Sequence, residues 1–165
     1  MNRRFLLAGG TALVTGAFFG LGAKAEKGDF PVTKTEAQWR EQLSEMQYAV
    51  LREEDTERAF TSPLLKVKEK GTYHCAGCDQ AVFESETKFD SGTGWPSFFR
   101  EIEGNVAFKE DNTLFMRRTE EHCSRCGGHF GHVFDDGPKP TGKRHCINGV
   151  AMIFRPANGG DAITG

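Results

Sequence analysis

Five cysteines are the residues in this 165-residue chain most able to do chemistry. Four of them form two Cys-x-x-Cys pairs, Cys75 with Cys78 and Cys123 with Cys126, and 44 residues separate the pairs. Each pair sets two thiolates on one tight turn, and two such turns brought together make a tetrahedral all-sulfur site suited to one zinc ion. Gly77 in the first turn and Gly127-Gly128 just after the second permit the sharp backbone these turns need. Two disulfides are the alternative, open to a protein in an oxidising compartment, although a disulfide closed within one such turn is strained. Four protein ligands would leave no open position, so the metal would be structural and zinc hydrolysis is disfavoured.

Cys146 is left over. Lys143, Arg144 and His145 precede it directly, and positive charge lowers a thiol pKa and populates the nucleophilic thiolate. His129 and His132 lie shortly upstream in the run Gly-His-Phe-Gly-His-Val-Phe. Residues three apart fall on opposite faces of a regular strand, so a bend at Gly131 is required for both to reach one site. Each histidine alone could be a satisfied structural residue. Together with a lone cysteine they make the arrangement of a thiol nucleophile and its proton donor.

The elements that must position these groups are short. Thr35 with Gln38, and Ser44 with Gln47, fit capping boxes. They predict a helix from Ala37 to Glu45 with Trp39, Leu43 and Met46 on one face, then a second helix carrying Tyr48 and Leu51 that ends near the charged run Arg52 to Glu57. Past Phe60 the runs Leu64–Lys68, Ala81–Phe83, Val106–Lys109, Leu114–Arg118 and Val150–Arg155 are brief, partly alternating and separated by Gly, Asn, Asp or Pro. Fourteen Phe and twenty Gly agree with strands joined by tight turns. The reading is a mainly β, antiparallel domain entered by N-terminal helices.

Arg3 and Arg4 begin an N-terminal segment that is uncharged from Phe5 to Ala23 and ends in Ala23-Lys24-Ala25. This is the pattern of a secretory signal peptide cleaved after Ala25. The arginine pair before Phe5-Leu6-Leu7 resembles a twin-arginine signal, which exports folded proteins. The expected address is the bacterial periplasm, with no stable membrane insertion after cleavage; an uncleaved anchor is the alternative. Residues 26–34 read as a linker and 157–165 as a C-terminal tail. The net charge of the whole chain is −2, and the body is more acidic once the basic leader is set aside. Such a body, with no basic run, argues against nucleic acid as a partner.

Two longer motifs are recognisable. Asp90-Ser-Gly-Thr-Gly-Trp-Pro-Ser-Phe98 resembles one signature of the peptide-methionine (R)-S-oxide reductases, the B type of methionine sulfoxide reductase. His129-Phe-Gly-His-Val-Phe-Asp-Asp-Gly-Pro-Lys-Pro-Thr-Gly-Lys-Arg-His-Cys-Ile-Asn148 resembles the other. The resemblance covers residues 35–156, and both cysteine pairs match the zinc sites of zinc-binding members. It implies two antiparallel sheets in a β-tent-like fold with short helices outside them. It also implies that Cys146 is the nucleophile, that His129, His132 and Asn148 surround the sulfoxide oxygen, and that Trp95 receives the S-methyl group. The substrate would be methionine (R)-sulfoxide, free or in oxidised proteins, and the reductant a thioredoxin-like protein or small thiol. Two positions depart from the family. Thr93 stands where many members carry a resolving cysteine, and His145 stands where an aromatic residue is usual; it either adds charge near the thiolate or fills the aromatic's place. A non-enzymatic zinc module and a thiol peroxidase are the competing readings.

Overall fold

The computed structural model describes residues 30–112 and 117–165. The expected leader, the start of the linker and most of the run Leu114–Arg118 lie outside the described residues. Among the described residues no helix is long and apolar enough to cross a membrane.

Both capping boxes are present. The Thr35 hydroxyl accepts from the Gln38 N–H and the Gln38 side chain accepts from the Thr35 N–H, starting α1 over Glu36–Gln42. Ser44 and Gln47 repeat the arrangement at the start of α2, Glu45–Glu53. α1 is shorter than the expected Ala37 to Glu45, because Leu43 is already extended so that Ser44 can cap the next helix. Two caps nine residues apart leave room for only two turns. Trp39, Leu43, Tyr48, Val50 and Leu51 are buried, which docks the helix pair on the β domain.

Among the described residues, ten strands form two antiparallel sheets. The first holds β1 (Gly71–Cys75), β2 (Ala81–Glu84), β9 (Met152–Pro156) and β10 (Ile163–Thr164), in the order β10-β9-β1-β2. The second holds β3 (Lys88–Phe89), β4 (Ser97–Phe98), β5 (Val106–Asp111), β6 (Arg118–Cys123), β7 (His129–Phe134) and β8 (Arg144–Ile147), in the order β3-β4-β8-β7-β6-β5. Aromatic rings join the sheets. Tyr73 of β1 meets Phe98 of β4 at 4.9 Å between centroids, and Phe83 of β2 stacks on Phe98 at 4.3 Å. Phe130 and Ile147 of the second sheet and Phe154 of the first are also fully buried. Burying each such side chain contributes on the order of 2–3 kcal/mol.

Three stretches differ from the sequence reading. Pro63–Lys66 form a 3-10 turn where the run Leu64–Lys68 reads as a strand, because Pro63 follows a Ser62 side-chain cap. The run from Val150 opens with a 3-10 turn, Gly149–Ala151, before β9 begins. Residues 157–165 are not a free tail. Ile163 pairs with Phe154 and Thr164 with Ile153, adding an edge strand to the first sheet. At the other end, the Val32 N–H donates to the Arg125 carbonyl at 2.8 Å, so the described part of the linker is docked on the second cysteine turn.

Candidate active site and metal centre

The two cysteine turns are built alike. Cys75 ends β1 and Cys123 ends β6, so each sheet contributes one. In the first, the Asp79 N–H donates to the Cys75 carbonyl and the Cys75 N–H to the Gln80 carbonyl, both at 2.8 Å. In the second, the Gly127 N–H donates to the Cys123 carbonyl and the Cys123 N–H to the Gly128 carbonyl, both at 2.9 Å. Gly127 has φ +69, and Phe30 lies where its Cβ would stand, so any other residue would be excluded twice over.

The four sulfurs lie within 4.8 Å of one another. The closest pairs run between the turns, Cys75 to Cys126 at 3.7 Å and Cys78 to Cys123 at 3.5 Å, and every cysteine is a free thiol rather than a disulfide. A tetrahedron of sulfurs about 2.3 Å from a central zinc has edges of about 3.8 Å, so the cluster fits such an ion. The sulfurs cannot all ionise side by side. Hydrogen bonding with Cys123, the largest influence on both, pushes the Cys78 thiol down and the Cys75 thiol well up. A dication relieves that conflict. The four thiols can therefore hold one metal ion, compatible with a structural zinc.

Cys146 sits on β8, the strand between β4 and β7. Its Cα partners are Ser97 on one side and His132 on the other. Directly opposed residues share a face, so the His132 side chain and the thiol project together. Thr93 Oγ1 is 3.9 Å from the Cys146 sulfur, and Ser91 Oγ bonds both Thr93 Oγ1 (2.8 Å) and Ser97 Oγ (2.7 Å). A row of hydroxyls thus flanks the thiol.

The bend expected at Gly131 exists, and its form is a bulge. β6 pairs Glu121 with Gly131 but His122 with His129, so Phe130 is an extra residue on β7. The shift brings both histidines to one face, with ring centroids 5.7 Å apart. Gly131 is required there for a second reason: a Cβ would stand 2.0 Å from the Cys146 carbonyl oxygen. Each histidine has a carboxylate partner that the sequence did not reveal. His129 Nδ1 lies 2.9 Å from Glu120 Oε1, and His132 Nε2 lies 2.8 Å from Asp111 Oδ2. Asp111 also pairs with Arg118 at 2.6 Å. Glu120 also pairs with Lys109 at 2.7 Å. Burial pushes the Glu120 carboxyl up, but His129 and Lys109 together hold it below its ordinary range. Burial pulls His132 down, opposed by Asp111, and leaves it below the ordinary imidazole value.

Of the three basic residues before Cys146, one acts on it. Arg144 is held in a fork by Asp136 at 2.8 and 2.9 Å, and its charge lowers the thiol. Lys143 pairs with Asp135. His145 points to the opposite face, as strand alternation requires, and is buried between Glu121 (2.6 Å) and Glu101 (3.2 Å) beside the Phe83 ring. Its ring packs as an aromatic would and its two nitrogens contact carboxylates, which a phenyl ring could not do. Burial remains the largest influence on Cys146, and the thiol is raised rather than lowered. The sign gives a prediction. With the metal bound to protect the other thiols, alkylation of Cys146 by iodoacetamide should accelerate with pH and level off only above the ordinary thiol value of about 8.5. Arg144→Gln should move the inflection higher still. A plateau reached at neutral pH would show that charge, not burial, dominates.

Trp95 and Asn148 meet through a residue the sequence did not single out. Glu57 lay in a charged run that reads as solvated, yet it is 6% exposed. Its backbone carbonyl accepts from the Trp95 indole N–H at 3.1 Å, and its backbone N–H donates to Asn148 Oδ1 at 2.9 Å. Its carboxylate accepts from the N–H groups of Gly149 (2.5 Å) and Val150 (3.2 Å). Desolvation raises that carboxyl, and the two backbone donors oppose it. The Asn148 amide also donates to the Phe130 carbonyl at 3.0 Å. Asn148 is 4% exposed, and these bonds brace the strand end beyond Cys146 and the bulge that carries the histidines.

A thiol paired across two strands with a carboxylate-held histidine, with a second such histidine on the same face, can support thiol chemistry, on a β fold whose four-cysteine cluster can hold a metal ion. The SelR domain family matches residues 43–156. A peptide methionine sulfoxide reductase MsrB of Agrobacterium fabrum is 56% identical over 126 residues, 76% of this chain and 93% of that protein. One from Methanosarcina barkeri is 55% identical over 125 residues, 75% of this chain and 88% of that protein. Peptide methionine sulfoxide reductase B1, chloroplastic, of Oryza sativa is 50% identical over 130 residues, covering 78% and 61%. The chain belongs to the SelR family of peptide methionine sulfoxide reductases.

Proposed function

We propose that the protein reduces the R epimer of methionine sulfoxide, free or in polypeptides, with Cys146 as nucleophile and an outside thiol as reductant. The observation that carries the reading is the pairing of Cys146 with His132 across β7 and β8, with His129 brought to the same face by the bulge. The Cys146 proton passes to His132, for which Asp111 is the hydrogen-bond partner. The thiolate attacks the substrate sulfur and His132 returns the proton to the sulfoxide oxygen, an oxide leaving group that needs it. The substrate's sulfur–oxygen bond breaks as the protonated oxygen leaves as hydroxide; hydroxide then attacks the Cys146 sulfur, the new sulfur–sulfur bond breaks with its electron pair going to methionine, and Cys146 is left as a sulfenic acid. The Trp95 indole, fixed by Glu57, presents an apolar face to the S-methyl group. Zinc in the four-cysteine cluster would stay out of the reaction, holding the two sheets in register beneath it.

Thr93 lies beside the Cys146 sulfur, at the position where many family members carry a resolving cysteine. The other four cysteines share one cluster, so an external dithiol protein or small thiol completes the cycle. One experiment tests the whole reading. The metal-loaded protein is mixed with one equivalent of either epimer and weighed. The R epimer should yield methionine and a mass gain of one oxygen on Cys146. Turnover of the S epimer alone, or an internal disulfide at Cys146, would overturn it.

A further inference from the structure

Phe60 has no folding reason to be aromatic. Its ring is 71% exposed, the most of any large apolar side chain among the described residues. Its backbone has φ +66, a left-handed conformation otherwise taken by Glu54 and Asp79 among the described non-glycine residues. That region costs a bulky residue energy and suits Gly or Asn. A position chosen for the turn alone would not carry Phe.

Its surroundings tie it to the site. The Phe60 N–H donates to the Gly94 carbonyl at 2.8 Å. Its ring lies against Gly94, where a Cβ would stand 2.9 Å from Cδ2 and Cε2. Trp95 is the next residue, and its indole is anchored on Glu57, three residues before Phe60. One loop therefore holds the indole by its polar end and sets an exposed aromatic ring against Gly94, the residue before Trp95.

We propose that Phe60 walls a second apolar subsite, taking the side chain that adjoins the methionine sulfoxide in a polypeptide substrate. The inference rests on the reductase reading of Cys146 and extends it to sequence context. Consecutive Cα atoms of a polypeptide are about 3.8 Å apart, so a substrate whose S-methyl group meets Trp95 carries its neighbouring residue within reach of the adjoining surface. Phe60 offers that neighbour apolar area and no charge, so a leucine or phenylalanine is preferred to glycine. Free methionine sulfoxide has no group for it.

The test uses two short peptides, each with one R-sulfoxide flanked by leucine or by glycine, and dithiothreitol as reductant. The metal-loaded wild-type protein should show a kcat/KM for the leucine peptide higher by a factor on the order of five, the size of one partly exposed aromatic contact. Phe60→Ser should bring the ratio close to one through KM, while Phe60→Leu keeps most of it. Equal treatment of the two peptides by the wild type, or an equal proportional loss on both in Phe60→Ser, would overturn the inference while leaving the reductase reading intact. Wild-type protein that reduces neither peptide would instead remove the reading on which it rests.

Discussion

Cys146→Ser abolishes sulfoxide reduction, with kcat lower by at least about 10⁴-fold, because the reaction needs an atom that can accept oxygen and give up two electrons. A serine oxygen cannot do either. Every neighbour that could substitute is already a hydroxyl: Ser91, Thr93 and Ser97 form the hydrogen-bonded row beside the sulfur. The exchange is nearly isosteric and Cys146 is only partly buried, so the fold should persist. The variant is assayed with both epimers alongside a thermal melt and a metal determination. Lost activity with an unchanged midpoint and unchanged metal content is the expected result. Activity within tenfold of wild type would exclude Cys146 as nucleophile.

Removing the metal should unfold the protein. The four cysteines lie on turns at the ends of β1 and β6, one in each sheet, so one bound ion would cross-link the two layers. Structural zinc sites supply roughly 10–16 kcal/mol in small metal-binding domains, whereas a whole domain is stable by only about 5–15 kcal/mol. Loss of the ion therefore leaves little or no net stability. Cys126→Ser, or a strong chelator on the native protein, should lower Tm by tens of degrees or abolish the cooperative transition, and activity should fall with it. Zinc stoichiometry measured alongside distinguishes this from the Cys146 variant, which keeps its ion. A Cys126→Ser protein that melts at the wild-type midpoint would show that the cluster is dispensable for stability.

How much of this was legible beforehand differs by residue. Both helix starts could be read from Thr35-Gln38 and Ser44-Gln47, because capping is local chemistry within four residues. The strand Val106–Asp111 was read nearly to its ends. The run at Leu64 was misread because an apolar stretch carries no sign of a preceding serine cap and proline turn. The stretch 157–165 looked like a tail because a two-residue edge strand has no period to detect. Glu57, Glu120 and Asp111 escaped for one reason. Each is an acid in a charged stretch, and only its tertiary neighbours, Trp95 with Asn148, His129, and His132, give it a task.

The sequence by itself determined the inventory of chemistry: two matched thiol turns, a fifth cysteine outside them, two histidines three apart and a threonine at position 93. Those are facts of residue type and spacing, and spacing on a turn or strand dictates local geometry. Tertiary structure alone decided which charges reach the thiol. Strand alternation turned His145 away, a bulge turned His129 inward, and Asp135 engaged Lys143, leaving Arg144 to oppose a burial that proved the stronger influence. Solvent exclusion depends on everything packed around an atom, and for that reason the basic run before Cys146 could announce a lowered thiol pKa where burial raises it.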